Sequence, residues 1–151
     1  MFDIDLIAGA RPNFIKISAI FHALETYNSD AQEPINFRLV HTGQHFDQNM
    51  SGDFFDQLKI PCPHVNFAVQ GGSQATQKAK IMTRYEQLLE NEPVKICVVV
   101  GDVNSTAACS IAAAKLGVKV AHVEAGIRSF DRTMPEEINR LLTDSISDIF
   151  F

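Results

Sequence analysis

Between residues 120 and 140 the chain reads VAHVEAGIRSFDRTMPEEINR, and its side chains of types that move protons or hold anions include Glu124, Arg128, Glu136 and Glu137. Glu124 closes the apolar run 118–123. A carboxylate placed there without a partner is costly, or it takes up a proton instead. Glu136 and Glu137 follow Pro135 at a predicted helix start. Negative charge is favoured at such a terminus, so for this pair a purely structural role stands beside a chemical one. Glu124 gains nothing from a helix dipole. Carboxylates grouped with a guanidinium suit acid–base chemistry on an anionic substrate.

The elements that must position these groups follow from periodicity. Short apolar runs predict strands at 4–8, 36–42, 64–69, 95–100 and 118–123. Between them lie helical patterns. One runs from Pro12 to about residue 27, with Phe14, Ile17, Phe21 and Leu24 on one face, and a second carries Met50, Phe54, Phe55 and Leu58. A third opens at Ser73 as N-cap and ends before Pro93. A fourth, 106–116, takes Asn104 or Ser105 as its cap and Gly117 as the residue just past its end. A fifth covers 135–146, and Thr133 with Glu136 has the spacing of a capping box. Another strand is expected to begin near 148–151.

Alternating strands and helices predict an α/β fold, a doubly wound parallel sheet. Right-handed crossovers with one reversal give the order 3-2-1-4-5, reversing between strands 1 and 4. Ligands of such sheets bind beyond the carboxyl ends of the strands, at the reversal. That edge collects Arg11 and Lys16 after strand 1, Gln44 and His45 after strand 2, Asp102, Asn104 and Ser105 after strand 4, and Glu124 and Arg128 after strand 5. Arg11, Lys16 and two helix N-termini make an anion-binding side, and Asp102, Glu124 and Glu136 make a carboxylate side. Lys16 is equally a solvated surface charge on this reading, and Asp102 is alternatively a helix cap. His22 and His64 read as surface or packing histidines, and His122, inside an apolar strand, as a hydrogen-bonded core residue.

The 151 residues suit one domain, and a net charge of −5 without a basic run excludes a nucleic-acid surface. No apolar stretch reaches membrane-spanning length, and the N-terminus lacks a secretory pattern, so a cytoplasmic location without membrane association is expected. Cys62, Cys97 and Cys109 have no metal-ligand spacing, and Cys97 and Cys109 read as reduced core thiols. The residues after strand 1, Gly9-Ala10-Arg11-Pro12-Asn13, are not a dinucleotide fingerprint, which disfavours a dehydrogenase, and no Walker-type loop occurs. The carboxylates have no spacing that demands a metal, and no cofactor is called for.

Five blocks, in order along the chain, carry a resemblance. They are Gly9-Ala10-Arg11-Pro12-Asn13-Phe14-Ile15-Lys16, Thr42-Gly43-Gln44-His45, Gly101-Asp102-Val103-Asn104-Ser105-Thr106, His122-Val123-Glu124-Ala125-Gly126-Ile127-Arg128 and Pro135-Glu136-Glu137-Ile138-Asn139-Arg140. Together they resemble the non-hydrolysing UDP-N-acetylglucosamine 2-epimerases, with Ala10 where Thr is common and Asn13 where Glu is common. The resemblance implies a GT-B architecture with the site between two Rossmann-like halves. Residues 1–151 would be the N-terminal half, the C-terminal domain would be absent, and the piece alone would be inactive. It implies interconversion of UDP-N-acetylglucosamine and UDP-N-acetylmannosamine, a precursor of cell-surface polysaccharide, by elimination and re-addition of UDP. It matches Asp102, Glu124 and Glu136 to catalytic carboxylates, Arg11 and Lys16 to nucleotide-phosphate contacts, and His45 to a cleft residue; Arg128 joins the substrate-binding group. A UDP-sugar substrate and a homodimer at full length are expected. The alternatives are a hydrolysing epimerase or glycosyltransferase on the same scaffold, or a non-catalytic binding module.

Overall fold

A computed structural model describes residues 2–43 and 52–151. Among the described residues, six parallel strands alternate with five helices. They are β1 (Ile4–Ala8), α1 (Arg11–Asp30), β2 (Phe37–His41), α2 (Gly52–Leu58), β3 (Val65–Asn66), α3 (Gln74–Asn91), β4 (Ile96–Val100), α4 (Asn104–Lys115), β5 (Lys119–Val123), α5 (Pro135–Ile146) and β6 (Ile149–Phe150). The sheet order is β3-β2-β1-β4-β5-β6, which is the expected order extended by the strand anticipated after residue 148. The reversal lies between β1 and β4, whose pairing runs from Ile4↔Ile96 to Leu6↔Val98.

Burial on both faces explains why the strands read as apolar runs. One face packs Ile7, Val40, Val99 and Val120 against Ile81, Tyr85, Leu89, Ala108 and Ala112 of α3 and α4. The other packs Leu6, Ala8, Leu39 and Val100 against Phe14, Ile17, Phe21, Phe54 and Phe55 of α1 and α2. The alanines of α4 have a packing reason: small side chains let it lie close to α3 and the sheet. Among the described residues no helix is long and apolar enough to cross a membrane.

Several local expectations hold. Ser73 caps α3, its Oγ accepting the Thr76 N–H at 3.2 Å, and Gly117 follows α4 at φ +74°. Others need correction. Helix α4 begins at Asn104 with Val103 at the N-cap and no side-chain cap. The Asn104 amide is used elsewhere, donating to Gln77 Oε1 at 3.1 Å. No Thr133–Glu136 capping box forms: the N-cap of α5 is Met134, and Thr133 Oγ1 donates to Asp131 Oδ1 at 2.6 Å. Strand β3 is shorter than 64–69 because Ala68 turns left-handed at φ +51°. Met50, Gln44 and His45 lie outside the described residues.

Candidate active site

The turn after β1 is built around Asn13. Its Oδ1 accepts the N–H groups of Gly9 at 3.3 Å and Ala10 at 3.0 Å, and its Nδ2 reaches the Val100 carbonyl at 3.4 Å. The β1–α1 turn is thereby tied to the end of β4. Gly9 is required by close approach, since a Cβ there would lie 2.0 Å from Ser105 Oγ. That hydroxyl is hydrogen-bonded to Thr42 Oγ1 at 2.6 Å, so three strand ends meet at this point. Arg11 opens α1 and is exposed, its guanidinium carbon 4.7 Å from the centre of the Phe54 ring.

Lys16, one turn further along α1, forms an ion pair with Glu124. The two side chains keep 44% and 33% of their surface exposed, while the paired oxygen, Glu124 Oε1, is itself buried. Glu124 is left-handed at φ +68°. A non-glycine residue held there stores roughly 1–3 kcal/mol, and such strain clusters at functional sites. Lys16 is thus paired with a carboxylate while staying partly exposed, which decides neither of its two readings, an anion contact or a solvated surface charge.

Asp102 follows Gly101, which is left-handed at φ +72°. It is not a helix cap: its Oδ2 accepts Nε of Arg140 at 2.9 Å and Nη2 at 2.8 Å, and its carbonyl accepts Asn139 Nδ2 at 2.8 Å. Among the described residues Asp102 Oδ1 accepts no hydrogen bond. Arg140 also donates through Nη1 to Glu137 Oε2 at 2.8 Å. Glu137 is buried and accepts the N–H groups of Ser129 at 2.9 Å and Phe130 at 3.2 Å. Led by the Ser129 N–H, and against the effect of burial, these donors lower its carboxyl to about 2. Glu137 therefore anchors the 129–130 loop to α5. Glu136 beside it is exposed and makes no hydrogen bond or ion pair among the described residues.

Arg128 donates through Nη1 to Asp144 Oδ2 at 2.7 Å and to the carbonyl of Ile127 at 2.7 Å. Asp144 also accepts the Gly126 N–H at 3.0 Å and lies 2.6 Å from Nδ1 of His122. Burial works to raise the Asp144 carboxyl, but Arg128, His122 and Gly126 together bring it below the usual range. His122 is fully buried and hydrogen-bonded, as its place in an apolar strand implied.

Arg11, Lys16, Asp102, Glu124, Arg128 and Glu136 thus occupy one edge of the sheet. Lys16 joins Glu124 directly, and Asp102 joins α5 through Arg140. Glu136 is on the same helix but touches neither carboxylate. Arg140, Asn139 and Asp144 escaped assignment from sequence, and of the two readings for Glu137 the structure shows the structural one. A signal existed for Arg140 and Asp144: positions 137, 140 and 144 recur at helical spacing and share one face of α5.

A doubly wound parallel sheet carrying its polar groups at the carboxyl edge defines a Rossmann-like α/β domain. The model of the UDP-N-acetylglucosamine 2-epimerase family matches residues 28–151, and the chain belongs to that family. A UDP-N-acetylglucosamine 2-epimerase homolog of Methanococcus maripaludis is 45% identical over 96% of this chain and 39% of its own length. A UDP-2,3-diacetamido-2,3-dideoxy-D-glucuronate 2-epimerase of Pseudomonas aeruginosa is 46% identical over 96% of this chain and 40% of its own length. The crystal structure of Methanocaldococcus jannaschii UDP-GlcNAc 2-epimerase in complex with UDP-GlcNAc and UDP superposes with a TM-score of 0.88 at 43% identity, covering 97% of this chain and 39% of that one. The chain spans about two fifths of the length of these relatives.

Proposed function

We propose that these residues form the N-terminal half of a two-domain, cytoplasmic, homodimeric UDP-sugar 2-epimerase acting on UDP-N-acetylglucosamine and supplying a cell-surface polysaccharide precursor. The observation that carries the reading is the likeness to the M. jannaschii enzyme, crystallised with UDP-GlcNAc and UDP. In the proposed reaction a carboxylate takes the C2 proton, the C2–H electrons form a C1–C2 double bond, and the C1–O bond breaks with its electrons leaving on UDP. UDP then adds back while a carboxyl group returns a proton to the opposite face of C2. Asp102, Glu124 and Glu136 are the proposed proton-transfer groups. Arg11, Lys16, His45 and Arg128 are proposed to bind the substrate, cations among them stabilising the departing pyrophosphate. Asp102 Oδ1 and Glu136, neither hydrogen-bonded among the described residues, support the assignment.

The P. aeruginosa relative, as similar as the first, favours a second reading in which the sugar is a 2,3-diacetamido uronate. The chemistry at C1 and C2 is the same, and only groups at C3 and C6 differ. Assay of the full-length enzyme on both UDP-sugars in D₂O tests both readings. The expected product is the C2 epimer carrying deuterium at C2. Free UDP with free sugar, or epimerisation without deuterium, overturns the mechanism; turnover of the uronate alone selects the second substrate. The 151 residues alone should turn over neither.

A further inference from the structure

Both ring nitrogens of His122 are engaged. Nε2 lies 2.7 Å from the Gly101 carbonyl. Nδ1 lies 2.6 Å from Asp144 Oδ1. The other oxygen of Asp144 takes Arg128 Nη1 and the Gly126 N–H. The ring has none of its surface exposed.

Both partners of the ring lie beside candidate catalytic groups. Gly101 immediately precedes Asp102, and its N–H donates to the Val123 carbonyl at 3.0 Å, next to Glu124. Asp144 holds Gly126 and Arg128, the turn that follows Glu124. One buried ring thus joins the Asp102 turn to the Glu124 turn and both to α5. We propose that His122 and Asp144 are a positioning pair that sets the placement of Asp102 against Glu124 for proton transfer. Neither touches substrate. The inference rests on the proposed epimerase reading, and its test separates the two.

The test uses full-length enzyme. Asp144→Asn should melt cooperatively and bind UDP within about threefold of the parent, while kcat falls roughly tenfold to a hundredfold, the scale expected when reacting groups are misplaced by about 1 Å. Asp144→Glu should recover part of that loss. A folded Asp144→Asn enzyme with parental kcat overturns the positioning role; should that variant fail to fold, parental kcat in His122→Gln overturns it. Absence of turnover in the unsubstituted enzyme instead overturns the proposed function and with it this inference.

Discussion

Two groups of carboxylates and arginines sit at opposite ends of the same sheet, and only one of them is open. At the amino end, Asp5 of β1 and Arg38 of β2 are paired in register and buried, with Nε to Oδ1 at 2.8 Å and Nη2 to Oδ2 at 3.0 Å. Tyr85 donates its hydroxyl to the same carboxylate at 3.0 Å, and Glu92 takes the remaining Arg38 nitrogen at 2.9 Å. Burial raises the Asp5 carboxyl even against Arg38. At the carboxyl end, Arg140 grips one oxygen of Asp102, the other accepts no hydrogen bond among the described residues, and Lys16 meets Glu124 with both side chains partly exposed. Residue types are nearly the same in the two clusters. What separates a brace from a site is an unfilled acceptor within reach of a ligand.

The sharpest way to break this contrast is Arg38→Met. It strands Asp5 in the core, and removing one partner of a buried ion pair costs about 3–5 kcal/mol. Chemical denaturation of the full-length enzyme should show that loss in midpoint. A loss below about 1 kcal/mol would mean the amino-end cluster is no brace.

The complementary substitution at the other end is Asp102→Asn. It keeps the shape of the side chain but removes its basicity, so the denaturation midpoint should stay near the parent while kcat falls about 10²- to 10⁴-fold, the usual contribution of a general acid or base. Near-parental turnover in the folded variant would leave Asp102 as a mere partner of Arg140.

The smallest effect is on acid stability and lies within the carboxyl edge itself. Glu137 is lowered from 4.5 to about 2, so the stability it confers is fully present above about 4.5 and is lost as pH falls toward 2. Glu137→Gln should flatten the dependence of stability on pH in that window. Thermal melts between pH 2 and 5 read it. An unchanged dependence would contradict the anchoring role of Glu137.

The sequence alone determined the positions of the strands, their parallel direction and the edge on which the polar residues gather. Strand placement follows from apolar runs, and crossovers between parallel strands have one favoured hand, so Arg11, Asp102 and Glu124 could be put on one edge without coordinates. The burial of His122 was legible for the same reason: a polar residue inside a two-sided strand has nowhere else to go. The charges at Asp5 and Arg38 were not legible as a pair, because their registration depends on how β1 and β2 slide against each other. The capping assignments at Asn104 and Thr133 failed because other partners compete for the same side chains: Asn104 was drawn away to distant Gln77 and Thr133 to nearby Asp131. The tertiary structure alone decided what Asp102 and His122 hold. Arg140 lies 38 residues from Asp102, and Asp144 lies 22 from His122. Those contacts exist only because α5 packs back across α4 and β5, a placement set by the summed burial of whole helix faces and not by any spacing along the chain.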